Sequence, residues 1–248
     1  VQHAFSILFR PVNALLVALL GAPPPVWQRA MGLDGEPGVW LPDHVVMAVL
    51  VVAVVAVLLW AARRDYSLEH PNTLQQLMEL LLASLRNLCE DVIGHGLGRD
   101  FVPFITALTL FIFVSNSFEL IFFLQPPTAN TSTTFALSLT AFLFYNAVGI
   151  RRQGPIAYAR QFIGPVWWLF PLILPIEIIS HLARVLSLAL RLFGNMFGEH
   201  TASAMFLIIV PLFVPAMMGL GSLAVVIQTF IFIVLTAVYV GGAVAEEH

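Results

Sequence analysis

The stretch IEIISHLARVLSLALRLFGNMFGEHTASAMFLIIV, residues 176–210, decides how the rest of the chain is read. It is mostly apolar and no proline interrupts it, so as a helix it would extend on the order of 50 Å. That exceeds the roughly 30 Å of a bilayer's hydrocarbon, and a helix so mismatched lies strongly inclined. Within it stand Glu177, His181, Arg184, Arg191, Asn195, Glu199 and His200, in a layer where an ionised group is costly unless it faces protein or water. Pro211 and Pro215 then mark a turn, and a second apolar run over residues 216–245 returns to the polar end Glu246, Glu247 and His248. The two runs make a tilted helical hairpin.

Composition extends this reading to the whole chain. Of 248 residues, 59% are hydrophobic and 10% charged, where a soluble domain carries about a quarter charged residues. With a mean hydropathy of +0.91, most of the chain belongs in lipid, and a soluble enzyme is excluded. Three further runs, at 45–62, 101–124 and 133–150, are long enough to span. The net charge of -3, with no contiguous basic stripe, argues against nucleic acid as a partner. Cys89 is the only cysteine, which leaves no internal disulfide and no cysteine-based metal cluster. No phosphate-cradling glycine loop followed by lysine is present, so no nucleotide is expected on this chain, and no cofactor.

Arginine in short loops sets the orientation. Arg63 and Arg64 close the first span, and Arg151, Arg152 and Arg160 follow the third. The segment before the first span mixes Arg10 and Arg29 with Asp34, Glu36 and Asp43, so the N-terminus is expected to face outward and the C-terminus the cytoplasm. Between the first two spans, residues 72–97 place Leu74, Leu77, Leu81 and Leu88 at helical spacing opposite Gln75, Glu79 and Arg86. This is an amphipathic helix, lying on the inner membrane surface or packed on protein. The short run 12–20 is too brief to span and reads as an interfacial or re-entrant piece. The expected class is thus an all-α integral membrane protein with upright transmembrane helices, one amphipathic surface helix and the tilted C-terminal hairpin. Its divisions fall at 1–43, an outward segment, at 44–160, the upright helices, and at 161–248, the hairpin.

Arg191 is the residue hardest to treat as structural. Leu188, Ala189 and Leu190 precede it and Leu192 and Phe193 follow, so its side chain has no short route to an interface, and no acid lies one turn away. It needs an anion from elsewhere. Three readings of that need are open from the residues: an ion path shared with a partner, a stand-alone channel or carrier for an anion, and, using Glu177, His181 and His200, an intramembrane metal site. The last lacks a third ligand at a workable spacing, and the second predicts internal repeats or glycine-broken helices that the sequence does not show.

The run Ser187-Leu188-Ala189-Leu190-Arg191-Leu192-Phe193-Gly194-Asn195-Met196 closely resembles the arginine segment of the subunit a family of rotary (F-type) ATP synthases. Gln228, with Phe230-Ile231-Phe232, Leu235-Thr236 and Val238-Tyr239, resembles that family's last helix. Weaker likenesses lie at Pro71 with Gln75 and Glu79, at Phe101 with Pro103, at Asn116, at Pro127-Thr128-Ala129 and at Pro175-Ile176-Glu177. The likeness covers roughly 72–248. It implies a non-catalytic stator subunit of a bacterial inner membrane, partnered by a c-ring of small hairpin subunits, by peripheral-stalk b subunits and by the rest of the ATP synthase. It implies that Arg191 faces the ring carboxylates with Gln228 beside it, and that His200 serves as the relay of the outward half-channel. Glu199 next to it, Asp43 at the outer start of the first span and Glu119 near the outer end of the second are placed to extend that route, although the family pattern requires no acid at Glu119. Glu177, with His181 and Ser187, would line the inward half-channel, and Asn195 would be a water or side-chain ligand. Three positions depart from the family pattern: Val185 where proline is frequent, Asn130 where aspartate is common, and Gly221 where some members carry His or Glu.

Overall fold

The computed structural model describes residues 6–24, 39–64, 66–67, 70–94, 96–121, 124–155, 158, 170–209, 212 and 214–244. Arg29, Asp34, Glu36, Arg160, Pro211, Glu246, Glu247 and His248, which entered the orientation and hairpin readings, lie outside these. Among the described residues seven α-helices follow in order: α1 (Ser6–Leu20), α2 (Asp43–Arg64), α3 (Thr73–Ile93), α4 (Val102–Ser117), α5 (Thr131–Gln153), α6 (Phe170–Ile209) and α7 (Val214–Val244). Short 3-10 turns, Gly98–Phe101 and Phe118–Leu120, extend α4 at both ends, and a third, Pro127–Ala129, forms the hairpin before α5. Among the described residues five helices are long and apolar enough to cross a membrane, α2 and α4 to α7. The protein is an all-α integral membrane protein.

Local chemistry sets the helix ends. Asn72 caps α3, its Oδ1 accepting from the Thr73 amide at 2.8 Å, and Gly94, at φ 120°, ends it in a conformation that side-chain-bearing residues avoid. Asn130 caps α5 by accepting from the Ser132 amide at 2.9 Å, a task its amide performs as an aspartate would. Inside the spans Thr109, Thr229 and Thr236 return their hydroxyls to the carbonyl one turn back, which satisfies these three hydroxyls in the apolar layer.

α6 is longer than its proline-free core, because the helix continues back through Pro175 to Phe170. Proline forfeits one backbone hydrogen bond, which transmembrane helices tolerate when neighbouring groups re-satisfy the carbonyl. Forty residues rise about 60 Å, twice the hydrocarbon thickness, and the helix passes Val185 unbroken. α1 is a short apolar helix tied to the start of α2 through Asn13, which accepts from the Trp40 and Leu41 amides and donates to the Leu41 carbonyl.

α3 packs on protein along a stripe of Leu85, Cys89 and Ile93, which meets Phe101 and Ile105 of the α4 segment, Tyr145 of α5, and Ile233, Ala237 and Val240 of α7. Burial pushes the Cys89 thiol up, so it stays neutral. The expected placing of Gln75 opposite the leucine face is corrected: Gln75 is buried, and Leu77, Leu80 and Leu82 are exposed. The reason is hydrogen bonding, since the Gln75 amide donates to the Ser67 carbonyl and to Glu79 and accepts from the Ser67 amide. Tight contact continues at Gly98, where an added Cβ would run into the backbone carbonyl of Cys89. Gly98→Ala is therefore expected to lower stability by about 1 to 3 kcal/mol, read as a fall in melting temperature of the detergent-solubilised protein.

A second core joins Leu108 and Ile112 of α4 to Leu188, Leu192 and Met196 of α6 and Phe232 of α7. By contrast, α2 buries only Met47 and Val51 and exposes Val49, Val52, Val57, Leu59 and Trp60, the distribution of a helix that faces lipid. Arg63, Arg64, Arg151 and Arg152 gather at one end of the bundle, the end at which α3 lies.

Candidate functional site

The polar residues of α6 resolve into three levels along its length. At mid-length Arg191 is exposed, while Leu188, Ala189, Leu192 and Met196 turn to the core. Among the described residues Arg191 has no ion pair or hydrogen bond within the chain. Ser187, Gly194 and Gly198 lie near it on the same helical face, and a Cβ at either glycine would meet open space. That face offers one permanent charge among small side chains, so another helix could approach it closely.

One turn on, Asn195 Nδ2 donates to Gln228 Oε1 at 2.6 Å, and Gln228 is only 2% exposed. The bond joins α6 to α7 at the depth of Arg191. The buried Gln228 amide would be costly to leave unpaired, so this bond to the exposed Asn195 helps fix the register of the hairpin where the charge stands.

Toward the arginine-rich end, His181 sits between two groups. Its Nδ1 is 2.9 Å from the Tyr145 hydroxyl, and its Nε2 is 3.4 Å from Glu177 Oε1. A neutral ring with its proton on Nε2 satisfies both, accepting from the phenol and facing the carboxylate with N–H. The structure pairs Glu177 with His181 and places the Arg184 guanidinium over the Tyr239 ring, 5.4 Å from its centroid. Nearby, Tyr158 donates to Asn146 Oδ1 at 2.7 Å, and burial pushes its hydroxyl above the usual phenol range, so it remains a donor. Among the described residues no third His, Cys, Asp or Glu joins Glu177 and His181 to make a metal set.

Toward the opposite end, the Glu199 carboxylate fills the space that a Cβ on Gly221 would need, with Leu120 also in contact range of that space. Glu119, on the turn that ends α4, has both carboxylate oxygens buried without a hydrogen bond, and its charge interacts with that of Glu199. Below it Asn116 accepts from the Thr128 hydroxyl at 2.7 Å, while its own Nδ2 and the hydroxyls of Ser115 and Ser138 are buried and unbonded. His200 is half-buried and turned to the opposite side of α6 from Arg191. Asp43 is half-buried at the start of α2.

Sequence reading therefore selected residues that the structure gathers into separate groups: Asn195 with Gln228, Glu177 with His181, and Glu199 with Glu119. It missed Tyr145 and Asn146, whose signal was two polar side chains inside an apolar span, and Tyr158. It also missed the hydroxyls of Ser115 and Ser138, which only the packing of α4 and α5 against their neighbours buries.

The profile of the family described as ATP synthase A chain matches residues 45–241, which brings in the first span, beyond the likeness that began near residue 72. ATP synthase subunit a 1 of Syntrophotalea carbinolica is 47% identical over 83% of this chain and 86% of its own length. ATP synthase subunit a of Geobacter sulfurreducens is 38% identical over 88% and 90%. ATP synthase subunit a of a Sulfurihydrogenibium species is 40% identical over 83% and 99%.

Proposed function

The chain belongs to the ATP synthase A chain family, and from that membership we propose that it conducts protons through two offset half-channels to and from a rotor ring, with Arg191 between them. The observation that carries this reading is the exposed, mid-depth guanidinium of Arg191, which finds no acid within its own chain among the described residues. A permanent cation at that depth calls for an anion brought by another molecule. Carboxylates carried past on a ring of small hairpin subunits meet the requirement.

The chemistry follows from solvation. A ring carboxyl facing lipid is held protonated, because the apolar layer penalises its anion, whereas a guanidinium within several Å favours the anion. On reaching Arg191 the carboxyl gives up its proton. Guanidinium does not deprotonate, so it cannot pass that proton across to the other side.

The two end groups supply the routes. With the arginine-rich end in the cytoplasm, Glu119, Glu199 and His200 form the outward route, and Asp43 opens it at the membrane surface. The buried, unbonded atoms of Ser115, Asn116, Ser138 and Glu119 need partners, and water in the outward half-channel supplies them. Tyr145, His181 and Glu177 form the inward route, where the phenol, imidazole and carboxylate lie in sequence, and Ser187 lines its approach to Arg191. Gln228 and Asn195 hold the hairpin in register at the barrier. The c-ring and the peripheral-stalk b subunits are the partners in the membrane, and the chain itself is not the catalytic subunit.

Vesicles reconstituted with this chain and its cognate ring should show passive proton flux severalfold above vesicles holding either alone. Equal flux in all three would remove the ring from the path and the proposal with it.

A further inference from the structure

The chain leaves α5 at Gly154, whose φ of 85° residues with side chains rarely adopt, and turns so that the Tyr158 amide donates to the Gly154 carbonyl at 3.0 Å. The turn returns the Tyr158 ring to the bundle at its arginine-rich end, where it is only 7% exposed. The ring lies against Gly149 of α5, in space that a Cβ there would take, and the Ala243 carbonyl of α7 borders the same space. The Tyr158 hydroxyl donates to Asn146 Oδ1, and Asn146 Nδ2 donates in turn to the Phe142 carbonyl, each at 2.7 Å. Gln153 Nε2 crosses the same join between helices to the Ala243 carbonyl at 3.1 Å. One aromatic ring and two side-chain amides thus occupy the join of α5 and α7.

This join borders the inward route. Tyr158 lies within electrostatic reach of Tyr145, Arg184 and Glu177. Around the Tyr145 and His181 pair the other walls are aromatic as well. Phe142 packs edge-on against both, and the Tyr239 ring of α7 lies 6.0 Å from that of Tyr145 between centroids, with the Arg184 guanidinium over it. Tyr145 is 2% exposed, and the side chains of His181 and Glu177 are 13% and 34% exposed. Of the three groups in the route, the one that opens outward from the bundle is Glu177.

We infer that Tyr158 is a positioning residue of the inward route: its ring plugs the join of α5 and α7, keeps water of the arginine-rich side off Tyr145 and His181, and so obliges the proton to pass through Glu177. The inference rests on the inward-route reading. Water admitted at the join would hydrogen-bond the phenol and the imidazole directly, and protons would then reach the pair without the carboxylate. The ring does the closing and the hydroxyl only fixes the ring, so substitution can separate the two.

Suppression provides the test, read as ATP-driven proton pumping by the intact complex in inverted vesicles. Glu177→Gln should lower pumping about tenfold, the scale of one lost proton-transfer group. Adding Tyr158→Ala should restore pumping to within about twofold of the native rate, a coupling between neighbours that independent defects would not show. Tyr158→Phe, which keeps the ring, should restore nothing. Normal pumping by Glu177→Gln alone would remove the inward-route reading and this inference with it, whereas a loss that Tyr158→Ala leaves in place would overturn the plug alone. Where the alanine variant fails to assemble, thiol labelling decides with Tyr158 intact. A water-soluble maleimide added at the arginine-rich side should modify Ala243→Cys at least about tenfold more slowly than Glu177→Cys, since the plugged join holds no water to carry it. The native Cys89 is fully buried and leaves this comparison clear. Equal rates at the two positions would mean an open join and would overturn the proposal.

Discussion

Arg191→Ala is expected to abolish ATP synthesis driven by a proton gradient in the assembled complex, by more than about a hundredfold, while leaving passive proton flux through the membrane sector intact or raised. Two opposite unit charges about 4 Å apart are worth about 4 kcal/mol even at an effective dielectric near 20, which corresponds to roughly three orders of magnitude in the ionisation of a passing carboxyl. Without the guanidinium, a ring carboxyl keeps its proton as it crosses between the two routes, and rotation no longer requires delivery to one side. The rise or persistence of flux separates this outcome from misfolding, which lowers synthesis and flux together. Arg191→Lys should also fail to restore tight coupling, because an ammonium in an apolar layer loses its proton far more readily than a guanidinium. ATP synthesis and fluorescence-quench proton flux, measured on the same inverted vesicles, give both readings. Synthesis at the normal rate in Arg191→Ala would show that the barrier lies elsewhere.

That Arg191 has no acid one turn away and no short route to an interface was legible in the sequence, since both follow from its place among leucines on a helix. Its outward face was implied by the family resemblance, because helical geometry gives a side to the residue without saying what covers that side. Length was legible from the unbroken apolar run, although Pro175 misled at the start of α6: the aqueous rule that proline ends a helix is weaker in lipid, where an unwound backbone is costlier than one missing bond. Gln75 shows the opposite failure. A periodic pattern counts it as polar and therefore outward, yet its partners are backbone groups of Ser67 eight residues away, and no pattern of side-chain hydropathy encodes them. Tyr145 and His181 lie 36 residues apart on different helices, so their contact depends on how α5 crosses α6. Stripes on single helices were readable, and pairings between helices were not.

Gly221 gives the second large effect, because here the contact is between an absent side chain and a present one. Some members of the family carry His or Glu at that position, and in this chain the missing side chain leaves room that the Glu199 carboxylate occupies. Glu199 hangs from α6, Gly221 lies in α7 and Glu119 ends the α4 segment, so one carboxylate in that gap links three elements. Gly221→Val should displace it at little cost to assembly, since the atoms in the way are the far end of a flexible side chain. Proton flux is expected to fall about tenfold, because a proton-transfer group moved out of the gap loses the positioning that a relay needs. In a Glu199→Ala background the same valine should add no further loss, because the group it displaces is already gone, whereas two independent defects would multiply. Glu119→Gln should likewise lower flux in the native background and have less effect once Glu199 is alanine. Full additivity of Gly221→Val with Glu199→Ala, measured as flux in matched vesicles, would mean that the glycine serves helix packing and that Glu199 has no part in the outward route.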